Sequence, residues 1–157
     1  MATRSGKDAC DLLDADHKAV KKMFKEYEEL TGSRARSAAQ KKIDLAHQIC
    51  QELTVHAQIE EEIFYPDVKL ALKDKLLVPE ATVEHAGVKG LLSELAGIEP
   101  NGEMYDAKVK VLSEYVKHHV KEEQNEMFPK VKESSLDLDD LGARMAARKT
   151  ELLAARK

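Results

Sequence analysis

Two pairs of residues in this chain, His56 with Glu60 and His119 with Glu123, stand four positions apart, which is one turn of a helix. Each pair continues an apolar stripe. Tyr105, Val109, Leu112, Val116, His119 and Glu123 recur at threes and fours, as do Ala46, Ile49, Leu53, His56, Glu60 and Ile63. Such stripes face a dry core, where an ionised carboxylate without partners is very costly, so a compensating group is required. A metal ion is the leading candidate. Two more histidines lie inside stripes: His17 among Leu13, Val20, Phe24 and Tyr27, and His85 among Val78, Ala81, Val88, Leu92 and Leu95. One histidine in an apolar seam is more often a hydrogen-bonded core residue than a ligand. Four in phase, accompanied by two glutamates, point to a metal site.

The donor set is four imidazoles and two carboxylates with no thiolate. It disfavours a structural zinc site and suits iron, manganese or zinc pairs, with iron the preferred reading. A ferritin-like arrangement needs Glu-x-x-His on two helices. That spacing does not occur in the sequence.

Helices must position these residues. Few prolines and glycines and no alternating β-branched run predict an all-α chain. Breaks are expected at Thr31-Gly32-Ser33, at Pro66 with Asp67, at Pro79, at Gly97 through Gly102, and at Pro129 through Ser135. They leave four long segments, the first three about Asp8 to Leu30, Ser37 to Tyr65 and Pro79 to Ala96, and a tail. Short connections predict an up-down-up-down four-helix bundle over residues 8–132, with the second and fourth helices running the same way. Glu60 and Glu123 then lie roughly 6 Å to the same side of their histidines and can meet at one level to bridge two ions. His17 and His85, on the helices running the other way, can cap the ions from opposite sides. The tail, 136–157, has acids early and bases late and reads as an additional C-terminal helix. Leu138, Leu141, Met145, Leu152 and Leu153 would pack it on the bundle or on a second copy, as a homodimer.

With 157 residues, 43% of them hydrophobic, one domain with a sizeable core is expected. A net charge of −4 without a basic stripe argues against a nucleic-acid partner. Neither a secretory signal nor a membrane-length apolar window is recognisable, and Cys10 and Cys50 form no CxxC or disulfide-rich pattern. A cytoplasmic protein without membrane contact is expected.

The stretches DADHKAV, HAQIEEEIFYP, VEHAGV and YVKHHVKEEQNEMFPKV resemble the hemerythrin-like HHE cation-binding family over about Asp8 to Lys132. The resemblance implies a bundle around a non-haem di-iron centre, with two iron ions bridged by oxo or hydroxo and by Glu60 and Glu123. His17 and His56 would serve one iron, and His85 and His119 the other. It further implies binding of, or reaction with, O2, NO or peroxide in sensing or detoxification, with peroxide or nitric oxide reduction as a possible activity. Iron-centre repair or iron supply is the alternative. The oxygen carriers of the family have a second histidine one turn after the third-helix histidine. Lys89 stands there and counts against reversible oxygen transport. One turn after His85 it should point toward the iron that it leaves one ligand short, and its ammonium is then protonated and paired with a glutamate or anion, or turned outward along its flexible stem to water, in preference to neutral and ligating.

The neighbouring residues read more plainly. His118 and His47 are off the seams, and Glu61, Glu62, Glu84 and Glu122 read as solvated charges, though Glu61 or Glu84 could orient a ligand histidine. Tyr65 and Tyr115 read as packing aromatics with wet hydroxyls, with a redox or proton-donor role as the less favoured alternative. Gly87 and Gly90 would either thin the wall over the site or permit close helix packing.

Overall fold

The computed structural model describes residues 8–100 and 102–156. The residues before Asp8, Asn101 in the fourth expected break, and Lys157 at the end of the tail lie outside the described residues. Helix α1 spans Ala9–Thr31, α2 Ala38–Ile59, α3 Tyr65–Ala71, α4 Leu77–Ala96, α5 Glu103–Glu122, α6 Phe128–Glu133 and α7 Leu138–Ala155. Five-residue π-turns, Glu60–Phe64 and Glu123–Met127, join α2 to α3 and α5 to α6, so these pairs run as continuous rods. The architecture is an all-α four-helix bundle with an additional C-terminal helix.

The helix ends follow from local chemistry. Asp8 starts α1 with a capping box, its carboxylate accepting from the Asp11 N–H at 2.9 Å while the Asp11 carboxylate accepts from the Asp8 N–H at 3.3 Å. Gly102 precedes α5 at φ +105°, where side-chain-bearing residues are disfavoured.

The expected breaks at Pro66 and Pro129 do not end their helices. A proline ring collides with the carbonyl four residues back and supplies no N–H. Here the turn before each proline is opened, with Tyr65 N–H bonded to the Glu60 carbonyl and Phe128 N–H to that of Glu123. Each proline therefore enters in the first turn of a new α-segment, where its missing donor is not needed. Pro79 likewise lies within the first turn of α4.

The extra residue in each π-turn also rotates the buried stripe. Ile63, expected to continue the seam of α2, is only partly buried, and Phe64, Tyr65 and Val68 are inside in its place. On the other rod Met127, Phe128 and Val131 follow Glu123 inward.

The core consists of two apolar clusters. One holds Leu13, Ile59, Phe64, Val68, Phe128 and Met145, and the other holds Val20, Ile49, Leu53, Val88, Val109 and Leu112. Every long rod passes from one cluster to the other through a buried polar residue: His17 lies between Leu13 and Val20, His56 between Leu53 and Ile59, His85 between Ala81 and Val88, and His119 between Leu112 and Met127. A polar layer thus crosses the bundle between two dry ends.

Helix α7 lies on α1, α2 and the first π-turn. Leu141 and Met145 are fully buried there, each contributing on the order of 1.5–3 kcal/mol. Arg144 pairs with Asp67 at 2.7 Å, Arg148 with Glu62 at 2.8 Å, and Lys149 with Asp16 at 2.5 Å. Among the described residues no helix is long and apolar enough to cross a membrane.

Candidate metal centre

The polar layer brings together all six residues singled out by helical phase. His17, His56, Glu60, His85, His119 and Glu123 are each no more than 8% exposed. Their donor atoms form two groups, Glu60 with His85, His119 and Glu123, and His17 with His56 and Glu123.

In the first group the Nε2 atoms of His85 and His119 lie 3.2 Å apart. Glu60 Oε1 is 3.2 Å from His85 Nε2, and Glu123 Oε2 is 3.0 Å from His119 Nε2. In the second, His17 Nε2 is 3.2 Å from Glu123 Oε1 and His56 Nε2 is 3.0 Å from Glu60 Oε1. Each glutamate therefore touches a histidine on both sides. Two donors, each about 2 Å from one ion, stand about 3.0–3.4 Å from one another, which is the spacing found here.

Carboxylates on the outer side of the rings fix which nitrogen carries hydrogen. Nδ1 of His56 is 2.9 Å from Asp16, Nδ1 of His85 is 2.9 Å from Glu61, and Nδ1 of His119 is 2.8 Å from Glu84. A carboxylate only accepts, so each Nδ1 is the donor, and in a neutral ring Nε2 is then a bare lone pair directed inward. Two such lone pairs face each other on His85 and His119, an arrangement that calls for a positive charge between them. Asp14 stands 3.7 Å from His17 Nδ1, beyond hydrogen-bond range.

The layer is also under-satisfied. Both ring nitrogens of His17, Nε2 of His56, both oxygens of Glu60 and Oε1 of Glu123 are buried without an aligned hydrogen bond. Each such group costs on the order of 1–3 kcal/mol, more when charged. Cations in the layer would satisfy all of these atoms but Nδ1 of His17, which lies on the Asp14 side of its ring, so the residues present fit a metal. Protons are the other remedy. Burial works against charging His56, but Glu60 and Asp16 outweigh it and push its pKa up to about 10. Burial likewise opposes His119, and the neighbouring carboxylates of Glu123, at 3.0 Å, and of Glu60, at 3.9 Å, push it up to about 12. Burial would raise Glu60, yet His56 and the surrounding donors hold it well below the usual carboxylate range.

Sequence reasoning missed two members of this site. The Tyr65 hydroxyl, read as wet, is buried and donates to Glu123 Oε2 at 2.6 Å, 3.2 Å from Nε2 of both His85 and His119. In an unbroken helix a residue nine positions after His56 is about 180° away around the axis; the π-turn brings it inward. Burial and the two glutamates raise its pKa well above the ordinary phenol value, so it remains a donor. Asp16 is the other. Its carboxylate spans His56 Nδ1 and Lys149 Nζ, and these two partners keep it ionised against the effect of burial.

Lys89 does not point toward the centre. Its stem turns outward, its side chain is 55% exposed, and its Nζ lies 2.5 Å from Glu61 Oε1, the other oxygen of the carboxylate that holds His85. Water is more favourable than the buried layer for an ammonium, and four methylenes suffice to reach it. His118 is exposed, 3.3 Å from Glu84 and 3.1 Å from Glu122. Close packing does not demand the two glycines of α4: a methyl group at Gly87 would meet the Tyr115 ring at an ordinary 3.7 Å, and one at Gly90 would meet nothing within 4 Å. A cavity walled by Val20, Leu53, Val88, Val116 and Val120 opens onto all four histidines.

Comparison with known proteins bears on the fold and on the kind of domain. The profile of the Hemerythrin HHE cation binding domain matches residues 8–131. A hemerythrin HHE cation-binding domain-containing protein from Mycobacterium kansasii superposes with a TM-score of 0.77 at 23% identity, over 96% of this chain and 90% of that one. A protein of Nostoc sp. (strain PCC 7120), named a DNA nickase, is 28% identical over 122 residues, 78% of this chain and 33% of its own length. The chain thus spans about a third of that relative.

Proposed function

The chain belongs to the hemerythrin HHE cation-binding domain family, and from that premise we propose that it binds two iron ions and uses them to bind, or react with, a small ligand such as O2, NO or peroxide. The observation that carries the metal reading is the pair of Nε2 atoms on His85 and His119, 3.2 Å apart with both Nδ1 positions committed to carboxylates. His85 and His119 would hold one ion, His17 and His56 the other, and Glu60 and Glu123 would bridge, since each contacts histidines of both groups. Bound iron would supply redox activity and open coordination positions.

The remaining residues prepare the place. Asp16, Glu61 and Glu84 hold the ring tautomers and orientations. Tyr65 presents a protonated hydroxyl beside Glu123, where a bound oxyanion or peroxide would meet a hydrogen-bond donor. The valine- and leucine-walled cavity suits a small, weakly polar ligand and disfavours bulk water. Sensing or detoxification follows most directly from such a site. Iron supply or repair of iron centres is the alternative, and it requires the ions to exchange readily. Free thiols at Cys10 and Cys50 fit a reducing, cytoplasmic setting. Strand cleavage is not carried over from the Nostoc nickase, of which only a third is matched.

Anaerobic loading with iron, elemental analysis, and optical spectra after addition of oxygen, peroxide and nitric oxide test this function. Close to two irons per chain and a spectral response to at least one ligand are expected. A reproducible value of one iron would overturn the bridged pair, and two irons without any response would favour iron supply.

A further inference from the structure

Three of the four buried histidine rings are held from outside by a carboxylate, and those carboxylates divide their oxygens in the same way. Asp16 turns Oδ2 to Nδ1 of His56 and Oδ1 to Lys149. Glu61 turns Oε2 to His85 and Oε1 to Lys89, and Glu84 turns Oε1 to His119 and Oε2 to His118. One oxygen orients the ring and the other takes an outer group. His17 breaks the pattern, because its Nδ1 is buried without a hydrogen bond.

A carboxylate nevertheless stands beside it. Asp14, three residues earlier on the same face of α1, brings Oδ1 to 3.7 Å from Nδ1 of His17, against 2.8 Å to 2.9 Å at the other rings. That oxygen is already taken. Gln124, in the π-turn that starts at Glu123, donates its side-chain N–H to Oδ1 of Asp14 at 2.8 Å. The outer group here holds the very oxygen that faces the ring, so two donors compete for one acceptor. With an ion on Nε2 of His17, Nδ1 must carry the hydrogen, and leaving that N–H buried and unpaired costs affinity.

We propose that Asp14 is the positioning residue of His17, that Gln124 holds it off, and that the ion held by His17 and His56 is for this reason the more readily exchanged of the two. The proposal rests on the reading of the polar layer as a two-ion metal centre. In the other half both rings, His85 and His119, already have their carboxylates. The Asp14 side chain is 36% exposed and Gln124 is exposed, so a change of partner turns two surface side chains and leaves the core packing alone. A neutral amide also holds a carboxylate less firmly than the ammonium groups of Lys149 and Lys89 do, which suits a bond that has to give way.

The test titrates metal-free full-length protein anaerobically with Co2+ against a chelator, following the two steps of uptake by cobalt absorption and the content by equilibrium dialysis. Asp14→Ala is expected to loosen the weaker-held cobalt about tenfold and to leave the other where it was. Gln124→Ala, which changes no charge and touches no ligand, is expected to tighten the weaker-held ion about threefold. Made in Asp14→Ala, the Gln124 substitution should change nothing, because the carboxylate it frees is gone. The proposal is overturned if the parent holds both ions alike, if Gln124→Ala leaves the weaker ion unchanged or loosens it, or if its effect persists without Asp14. Equal loosening of both ions in Asp14→Ala, the mark of a lost charge and not of a lost orientation, would overturn it too. A parent that binds fewer than two cobalt ions would instead overturn the reading of the layer as a two-ion centre, and this proposal with it.

Discussion

Lys149 near the end of α7 and Asp16 of α1 meet at 2.5 Å, and through the second oxygen of Asp16 the last helix reaches the ring of His56. A residue of the tail thereby helps to set the orientation of a side chain at the centre of the bundle. Asp16→Ala is expected to weaken metal binding about 10–100-fold, the usual effect of removing a partner that orients a ligand, and Lys149→Met to weaken it less. Competition with a chelator measures both. Wild-type affinity in Asp16→Ala would mean that the His56 ring is held without it.

Helical phase alone separates His119 from its neighbours. His119→Ala should lose metal. Lys89→His should keep both the metal content and the optical spectrum of the parent, because position 89 faces water and Glu61. A new ligand-field band or a changed stoichiometry in Lys89→His would show that this side chain turns inward when metal is bound.

Tyr65→Phe removes the donor to Glu123 and keeps the ring that packs beside Phe64 and His85. A hydrogen bond to a charged group is worth about 1.5–3 kcal/mol, so a loss of that order is expected in chemical denaturation of the metal-free protein. The loaded variant should retain its metal and respond differently to peroxide. An unchanged peroxide reaction would leave Tyr65 a packing role only.

The metal-free protein should lose stability in alkali. His56 ordinarily titrates near 6.5 and is raised to about 10 in the fold, so its contribution is fully present below about pH 6.5 and is lost as pH rises through 10. A bound cation does the work of that proton, so the loaded protein should hold its melting temperature over the same range. Thermal melts at pH 7 and pH 9.5, with and without metal, compare the two; parallel declines would contradict the account of the layer.

Gly90 lies in mid-helix with nothing near the position of an added methyl group. Gly90→Ala should therefore stabilise the protein by about 0.5–1 kcal/mol without touching metal content. A destabilised variant would reveal a contact at this face in the folded protein.

Much of this arrangement is written locally. Steps of three and four around His17, His56, His85 and His119 are enough to put these residues and both glutamates on inward faces, and the structure gathers them. What the pattern hides is anything that changes the period or arrives from far along the chain. A π-turn adds one residue to the turn, and periodicity read at 3.6 residues then misplaces everything after it, which is why Ile63 was expected inside and Tyr65 was not recognised. Asp16 looks like one more acidic residue beside His17. Its role depends on Lys149, separated from it by 133 positions, and on the docking of α7, which no window along α1 contains. Lys89 shows a milder limit: its position on the helix and its two favoured placements, against a glutamate or outward to water, were legible, and the structure combines them by pairing it with Glu61 at the surface.

The polar layer has a mechanical consequence. Because it interrupts the apolar packing on every long rod, the bundle resembles a beam of two stiff halves spliced at mid-span. Loosening the packing around Phe64 and Met145 has no greasy route by which to disturb the packing around Ile49 and Leu112. Whatever strain or signal travels from the α7 end to the far end must pass along the helix backbones or across the splice itself, through side chains whose charge and protonation decide how tightly the halves are joined.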